Sequence, residues 1–348
     1  MSDEKRRIIG GEFAISHELT ISNSTDLQTA NNTYYYSSGR CALFAILKDI
    51  EHIYGKIGGV LLPNYLCDSI TNTVVNAGCK YSFYNIRKNF HIDVDTVGPL
   101  TLENIIILLI DYFGMTDLTN DIENIRSRFP NAIIIADCVQ AFYSMGKYEA
   151  DYSFTSFRKW FPCPDGAMVI KKYKEGMTKI DLKESNWWKY KYAGNILKGY
   201  SCLVSDSIAL ELLDKGEELL DKSYLCEWNE ESKRIFHSID KVIIRNRRKR
   251  NAKYLHQHLE ALNIDHYYSD EGTPLFLPIL VENRDQLRKA FFADSIFTPK
   301  HWPVINTNIN GENVLYRKEL SLICDQRYNL DDMERQIEVI KSIRGMIL

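Results

Sequence analysis

Three groups of polar residues in this chain have types and spacing suited to chemistry. Ser37-Ser38-Gly39-Arg40 opens a segment of helical period, and such a turn can cradle a phosphate on free backbone N–H groups, helped by the helix dipole. Asp137 closes the apolar run 132–136 and is followed by Gln140. Lys159, three residues after Ser156, is flanked by Phe157, Trp160 and Phe161, a setting in which a lysine sheds its proton readily and can act as a nucleophile or Schiff base. Each group has a plainer reading. A Ser-Gly turn can simply turn the chain, an acid at a strand end can cap the next turn, and a lysine stem can lie on aromatic surface with its head in water.

The order of the three groups points to one cofactor, pyridoxal phosphate. The cradle would hold its phosphate, the acid would keep its ring nitrogen protonated, and the lysine would hold its aldehyde and shuttle protons. The elements around them are of the right kind. Helical period runs from Arg40 to about Tyr54 through Leu43, Ile46, Ile50 and Ile53, and again from about Cys67 to Ala77, ending at Gly78. Short apolar strands are expected at Val60-Leu61-Leu62, Tyr81 to Tyr84, Asn104 to Tyr112, Ala132 to Ala136, Tyr152 to Thr155 and Ala167 to Ile170, with a helix over Asp121 to Arg128. This alternation predicts an α/β domain with a mostly parallel central sheet, in which ligands bind beyond the carboxyl ends of the strands. Helices dominate 205–262, a strand returns over 275–281, and a helix covers about 330–344. The first thirty-odd residues are polar, and Asn31-Asn32-Thr33 reads as a loop. The expected division is a large cofactor-binding domain over 1–245, with an N-terminal arm, and a smaller C-terminal α+β domain over 246–348.

The sequence resembles the DegT-type sugar aminotransferases, which have the type I (aspartate-aminotransferase) fold of pyridoxal-phosphate enzymes. The resemblance runs from Ile9-Gly10-Gly11-Glu12-Phe13 to the C-terminal helix. Ser37 to Leu43 is similar to the family's phosphate loop, Leu62-Pro63-Asn64-Tyr65 to its strand and Pro turn, and Leu109 to Gly114 to its strand ending in an aromatic and a glycine. Ala136-Asp137-Cys138-Val139-Gln140-Ala141 resembles the segment with the ring-binding Asp and a Gln three residues on; Ser153 to Lys159 resembles the segment ending in the Schiff-base lysine. Departures mark a divergent branch: Arg40 replaces a small hydroxyl residue, Phe142 a common histidine, and the Ser156–Lys159 spacing is short. Cys67 aligns with the residue that stacks on the cofactor ring, so either Cys67 or Tyr65 covers that face. Relatives that eliminate water or deoxygenate have histidine in place of the lysine; Lys159 therefore favours transamination.

The resemblance implies that Lys159 and Asp137 are catalytic, and that Ser38, Gly39, Arg40, Tyr65, Cys67, Gln140, Ser156 and Asn195 help hold the cofactor. Gln140 would lie near the ring's phenolic oxygen. His301 and Arg327 would approach the substrate, Arg327 as a carboxylate fork or else as an ion pair with Asp325. The activity implied is transfer of an amino group from glutamate or glutamine to a keto acceptor, a nucleotide-linked keto-sugar. Alternatives are a non-catalytic or regulatory relative, or another pyridoxal-phosphate reaction on an amino acid. Such enzymes build their sites at a homodimer interface, which places Asn186 to Tyr200, with Trp187, Trp188 and Tyr190, at the partner's cofactor and Asn195 on its phosphate. The Trp-rich stretch reads equally as a buried satellite cluster.

Composition bounds the rest. Lys+Arg is 43 against Asp+Glu 46, a net charge of −3, so nucleic acid is not an expected partner. No apolar run approaches the ~20 residues of a membrane span, and no secretory signal is evident. Eight scattered cysteines without C-x-x-C spacing predict reduced thiols, no metal site and a cytoplasmic location. The basic stretch Arg245 to Arg250 reads as a solvated helix face, or as a contact for substrate phosphates or an acidic partner.

Overall fold

A computed structural model describes residues 7–15, 32–98, 103–173, 176–200, 206–302 and 313–347. Its strands are β1 (Ile9–Gly10), β2 (Thr33–Tyr36), β3 (Gly59–Pro63), β4 (Tyr81–Tyr84), β5 (Ile105–Ile110), β6 (Ile133–Asp137), β7 (Tyr152–Ser156), β8 (Ala167–Lys171), β9 (Leu277–Leu280), β10 (Ile296–Phe297) and β11 (Glu319–Leu322). The helices are α1 (Gly39–Tyr54), α2 (Asp68–Asn76), α3 (Thr119–Arg128), α4 (Trp187–Gly199), α5 (Asp206–Leu220), α6 (Glu230–Ser238), α7 (Lys241–Ala261), α8 (Arg284–Ala293), α9 (Leu315–Lys318) and α10 (Leu330–Ile347).

Seven strands form the main sheet in the order β2-β8-β7-β6-β5-β3-β4. Five of them, β3 through β7, run parallel; β8 pairs antiparallel with β7, and β2 antiparallel with β8. β5 is six consecutive aliphatic residues, all buried, because a strand in the middle of a parallel sheet is covered on both faces. The parallel register puts the carboxyl ends of β5, β6 and β7 side by side, with Ile110 opposite Asp137 and Asp137 opposite Phe154. α1 packs its buried face, including Leu43, Ile46, Leu47 and Ile50, across β7 and β8.

The C-terminal elements pack on one another. β9 and β11 pair antiparallel, and α10 packs on α7 and α8. β1 pairs in parallel with β10, so the N-terminal strand joins the C-terminal elements rather than extending as an arm of the large sheet. One sequence expectation shifts here. Thr33 begins strand β2, whose three tyrosines line up on β8, instead of belonging to a loop. Residue 245 lies inside the continuous helix α7. The seven described cysteines carry no disulfide; Cys202 lies outside the described residues. Among the described residues no helix is long and apolar enough to cross a membrane, and no cluster of His, Cys, Asp or Glu is arranged for a metal ion.

Candidate functional site

The three groups singled out in the sequence meet at the carboxyl edge of the sheet. Ser38 is the N-cap of α1, its Oγ accepting from Cys41 N–H at 3.2 Å. The amides of Gly39 and Arg40 fall in the first turn, where the helix itself supplies no acceptor. A Cβ on Gly39 would lie 3.4 Å from Val139 Cγ2 and 3.5 Å from Ser156 Cβ, so the helix start abuts both the turn after β6 and the end of β7. Gly166 N–H donates to Ser37 O at 2.6 Å and Gly166 O accepts from Phe157 N–H at 2.9 Å. That glycine ties the cradle to the segment bearing Lys159.

Asp137, the last residue of β6, is 4% exposed. Its Oδ1 accepts from Val139 N–H at 2.8 Å, while its other oxygen has no partner among the described residues. Burial, with the Asp111 charge adding to it, pushes its carboxyl up to about 7. Asp111, at the end of β5, is likewise raised to about 7 by burial, although Tyr148 O–H donates to its Oδ2 at 2.6 Å. Gln140 is oriented by Phe113, whose N–H donates to Gln140 Oε1 at 2.8 Å, so its amide NH2 is the end left to bind a ligand.

Lys159 ends the short 3-10 turn after β7 and opens onto the cavity. Among the described residues its Nζ has no hydrogen-bond or ion-pair partner. Its pKa is held below the ordinary lysine value, first by desolvation between the cavity walls and then by the neighbouring Arg158 charge. Arg158 Nη1 and Lys191 Nζ both reach Glu217 Oε2, at 3.1 Å and 2.9 Å, and Lys191 also pairs with Glu12. The Arg158 charge and then Lys191 hold the Glu217 carboxyl well below the usual carboxylate range, against the effect of its own burial. Arg40 Nη2 joins the same network through Glu217 and Asp221, at 3.5 Å and 2.8 Å.

The cavity measures about 530 Å³ and is walled on one side by Arg158, Lys159, Lys191 and Asn195, and on the other by Arg248, Phe276, Thr298 and Arg327. Asn195 is buried on α4 and lines this cavity. The stretch beginning at Trp187 is a helix rather than an aromatic loop. Trp187 is buried under the Arg158 guanidinium, 5.5 Å away, and Tyr190 is 36% exposed.

Several expected residues stand elsewhere. Tyr65 is fully buried among Phe90, Tyr112, Trp302 and Tyr316 and donates its O–H to His301 O, so its ring is not free to cover a cofactor. Cys67 is the N-cap of α2, half-buried, and close enough to Lys159 for the lysine charge to act on its thiol. His301 is turned toward Ser321 Oγ, 3.1 Å from its Nδ1, and is not a wall of the cavity. Arg327 lines the cavity, but its fork is taken. Nε and Nη2 donate to Asp325 at 2.9 Å and 2.7 Å, and the remaining donors hold Gly11 O and Glu12 O. It is a structural ion pair anchoring the N-terminal segment.

The basic stretch is only partly a solvated face: Arg245 and Arg247 are exposed, while Arg248 is 1% exposed and lines the cavity. The sequence does not point to Glu12, Lys191 or Glu217 as site residues, and it offers Arg248 only as part of the basic stretch 245–250. For Arg248 a signal existed: it falls four residues after Ile244 and seven before Leu255, on the buried stripe of α7.

The donor set fits pyridoxal phosphate. Asp137 is a buried carboxyl with one oxygen unpartnered, as a cationic ring nitrogen requires. Arg40 Nη1 and Arg158 Nε are buried without acceptors near the helix start, where a phosphate would supply them.

No family model and no curated protein matches the sequence. Solved structures share the fold. The putative sugar aminotransferase Spr1654 from Streptococcus pneumoniae, in its PLP form, is 14% identical, aligns over 91% of this chain and 88% of its own, and has a TM-score of 0.65. PseC of Helicobacter pylori, an aminotransferase involved in the biosynthesis of pseudoaminic acid, is 12% identical over 98% of this chain and 100% of its own, with a TM-score of 0.64. A DegT DnrJ EryC1 StrS aminotransferase from Brucella abortus is 17% identical over 90% and 86%, with a TM-score of 0.58. The chain therefore has the type I fold of these sugar aminotransferases.

Proposed function

We propose that this chain is a pyridoxal-phosphate-dependent aminotransferase that moves an amino group from glutamate or glutamine to a keto-sugar. The observation that carries the reading is the meeting of an unpartnered lysine, a half-satisfied buried carboxyl and an open helix start at one edge of the sheet. The keto-sugar acceptor is supported by the structural neighbours, a putative sugar aminotransferase and an aminotransferase of pseudoaminic acid biosynthesis.

When bound, the cofactor supplies an aldehyde that reacts with amines and a ring that accepts the electrons released at the neighbouring carbon. The chain's residues do the rest. The Ser38 hydroxyl and the amides of Gly39 and Arg40 hold the phosphate, with Arg40 and Arg158 nearby to balance its charge. Asp137 holds a proton on the ring nitrogen, and that positive charge lets the carboxyl ionise despite its burial. Gln140 offers its amide NH2 to the ring's oxygen. Lys159, its pKa lowered by burial and the Arg158 charge, is placed to take the proton from the donor's α-carbon and deliver it again one atom along.

Purified protein loaded with pyridoxal phosphate should be yellow, and borohydride should fix the label on Lys159. In a separate, unreduced sample, glutamate should bleach the colour as the donor's nitrogen is taken up. A chain that stays colourless after loading, with no label on Lys159, would sink the proposal.

A further inference from the structure

Two thiols meet beneath the start of α1. Cys41, in the first turn of that helix, is fully buried, and its thiol is in hydrogen-bond contact with that of Cys226, which is 6% exposed. Both residues are held from outside the pair. Ser37 N–H donates to Cys226 O at 3.1 Å, and Ser37 Oγ lies 3.2 Å from Cys41 Sγ. On its other side the segment of Cys226 is bridged to Lys183, whose N–H donates to Leu225 O at 3.0 Å and whose carbonyl accepts from Glu227 N–H at 3.1 Å. The sulfurs therefore meet from two fixed stretches of backbone, one helical and one extended.

The pair differs from the other buried thiols. Burial pushes Cys138, Cys163 and Cys324 up. Cys41 is brought down to about 6, first by the Cys226 hydrogen bond and then, against its own burial, by those of Ser37 and Ser38. A thiol that holds negative charge at a helix start, with a second thiol in contact, is equipped to form a disulfide when an oxidant arrives. That charge also sits at the helix end whose free amides suit a phosphate, so the two anions compete for it.

We propose that Cys41 and Cys226 are a reversible disulfide site whose oxidation strengthens phosphate binding at the start of α1. The oxidant is hydrogen peroxide. The Cys41 thiolate attacks one peroxide oxygen, the O–O bond breaks, and the hydroxide that leaves takes up the proton the thiol had lost. The Cys226 sulfur then attacks the Cys41 sulfur. The S–S bond forms, the S–O bond breaks, and the departing hydroxide takes the Cys226 proton. Two thiols and one peroxide become one disulfide and two waters, the sulfurs giving up two electrons. The negative charge at the helix start is gone. The thiol pairing stands apart from the aminotransferase reading; only its effect on phosphate rests on that reading.

The full chain, reduced and then freed of reductant, is treated with peroxide, its remaining thiols are blocked, and it is digested without reductant. Peptides joined through Cys41 and Cys226 should appear, and dithiothreitol should separate them. Cys226→Ser should lose the joined peptides. Inorganic phosphate, titrated calorimetrically into the full chain without pyridoxal phosphate, should bind the oxidised form about threefold or more tighter than the reduced form, the effect of removing one nearby charge. Recovery of Cys41 and Cys226 unjoined after peroxide, or phosphate bound equally well by both forms, would overturn the inference. If the joined peptides form and phosphate binds neither form, the disulfide site stands and the phosphate cradle falls, with the aminotransferase reading that needs it.

Discussion

Lys191 on α4 and Glu217 on α5 meet 2.9 Å apart, Nζ to Oε2, with the lysine side chain 2% exposed. The same carboxylate oxygen accepts from Arg158, the residue before Lys159. One acid thus holds a helix against the site and offsets the cations around the reactive lysine. Glu217→Gln should cost roughly 1–3 kcal/mol of stability, reduced from the fully buried case because Glu217 is 41% exposed. It should also lower the Lys159 pKa further, since the Glu217 charge raises it. Urea denaturation gives the first quantity. The pH dependence of amine-selective labelling at Lys159 gives the second, and a midpoint that rises or stays fixed would contradict the electrostatic link.

Removing the lysine separates chemistry from binding. Lys159→Ala should lose turnover and borohydride labelling altogether, yet retain cofactor through the cradle and Asp137. An active Lys159→Ala chain would show that another residue moves the proton.

Asp137 carries a pH signature. Its folded pKa of about 7 lies above the unfolded value of about 3.9, so between these pH values the folded state binds the extra proton. Its contribution is therefore greatest below pH ~4 and is lost as pH rises through ~7. Cofactor-free Asp137→Asn should gain melting temperature relative to the natural chain as pH goes from about 5 to about 8. With cofactor present the order should reverse, because the variant cannot pair with a protonated ring. A constant difference across the pH range would mean Asp137 is ionised throughout.

Gly166 sits at φ +119°, and a Cβ there would come within 2.6 Å of Phe157 Cδ2 and Trp228 Nε1. Gly166→Ala should cost roughly 2–4 kcal/mol from backbone strain and overpacking together. Because this residue joins Ser37 to Phe157, cofactor affinity should fall with stability, as read by fluorescence titration. A loss of stability with unchanged affinity would show that the cradle holds its shape without the tie.

The parts of the site that could be read from sequence are those where one residue type signals one environment. Asp137 stood out because a charge ends an otherwise apolar strand, and Lys159 because aromatic residues surround it. Helix α4 was illegible for the opposite reason. Its buried positions are Trp187, Lys191, Gly194 and Asn195, a face of helical spacing made largely of polar and small residues, which hydrophobic periodicity does not register. Arg327 and Arg248 are alike in sequence, each an arginine in the C-terminal third. What separates them is that Asp325 lies two residues from Arg327 and folds back on it, whereas no acid is placed to reach Arg248. Tyr65 fell on the wrong side because a turn residue's direction depends on packing partners more than two hundred residues away, among them Tyr316.

The pairing of Ile9 with Ile296, and the grip of Arg327 on Gly11 and Glu12, has a consequence for synthesis. The segment at Ile9 to Glu12 must wait for Ile296 and Arg327, synthesised some three hundred residues later, before the cavity wall that includes Gly11, Glu12 and Phe13 can close. The strands of the seven-stranded sheet all lie before residue 172 and can assemble while the ribosome is still at work. A nascent chain thus passes through a stage with its sheet assembled and its reactive lysine in place but one wall of the chamber missing, until the segment bearing Arg327 emerges to supply it.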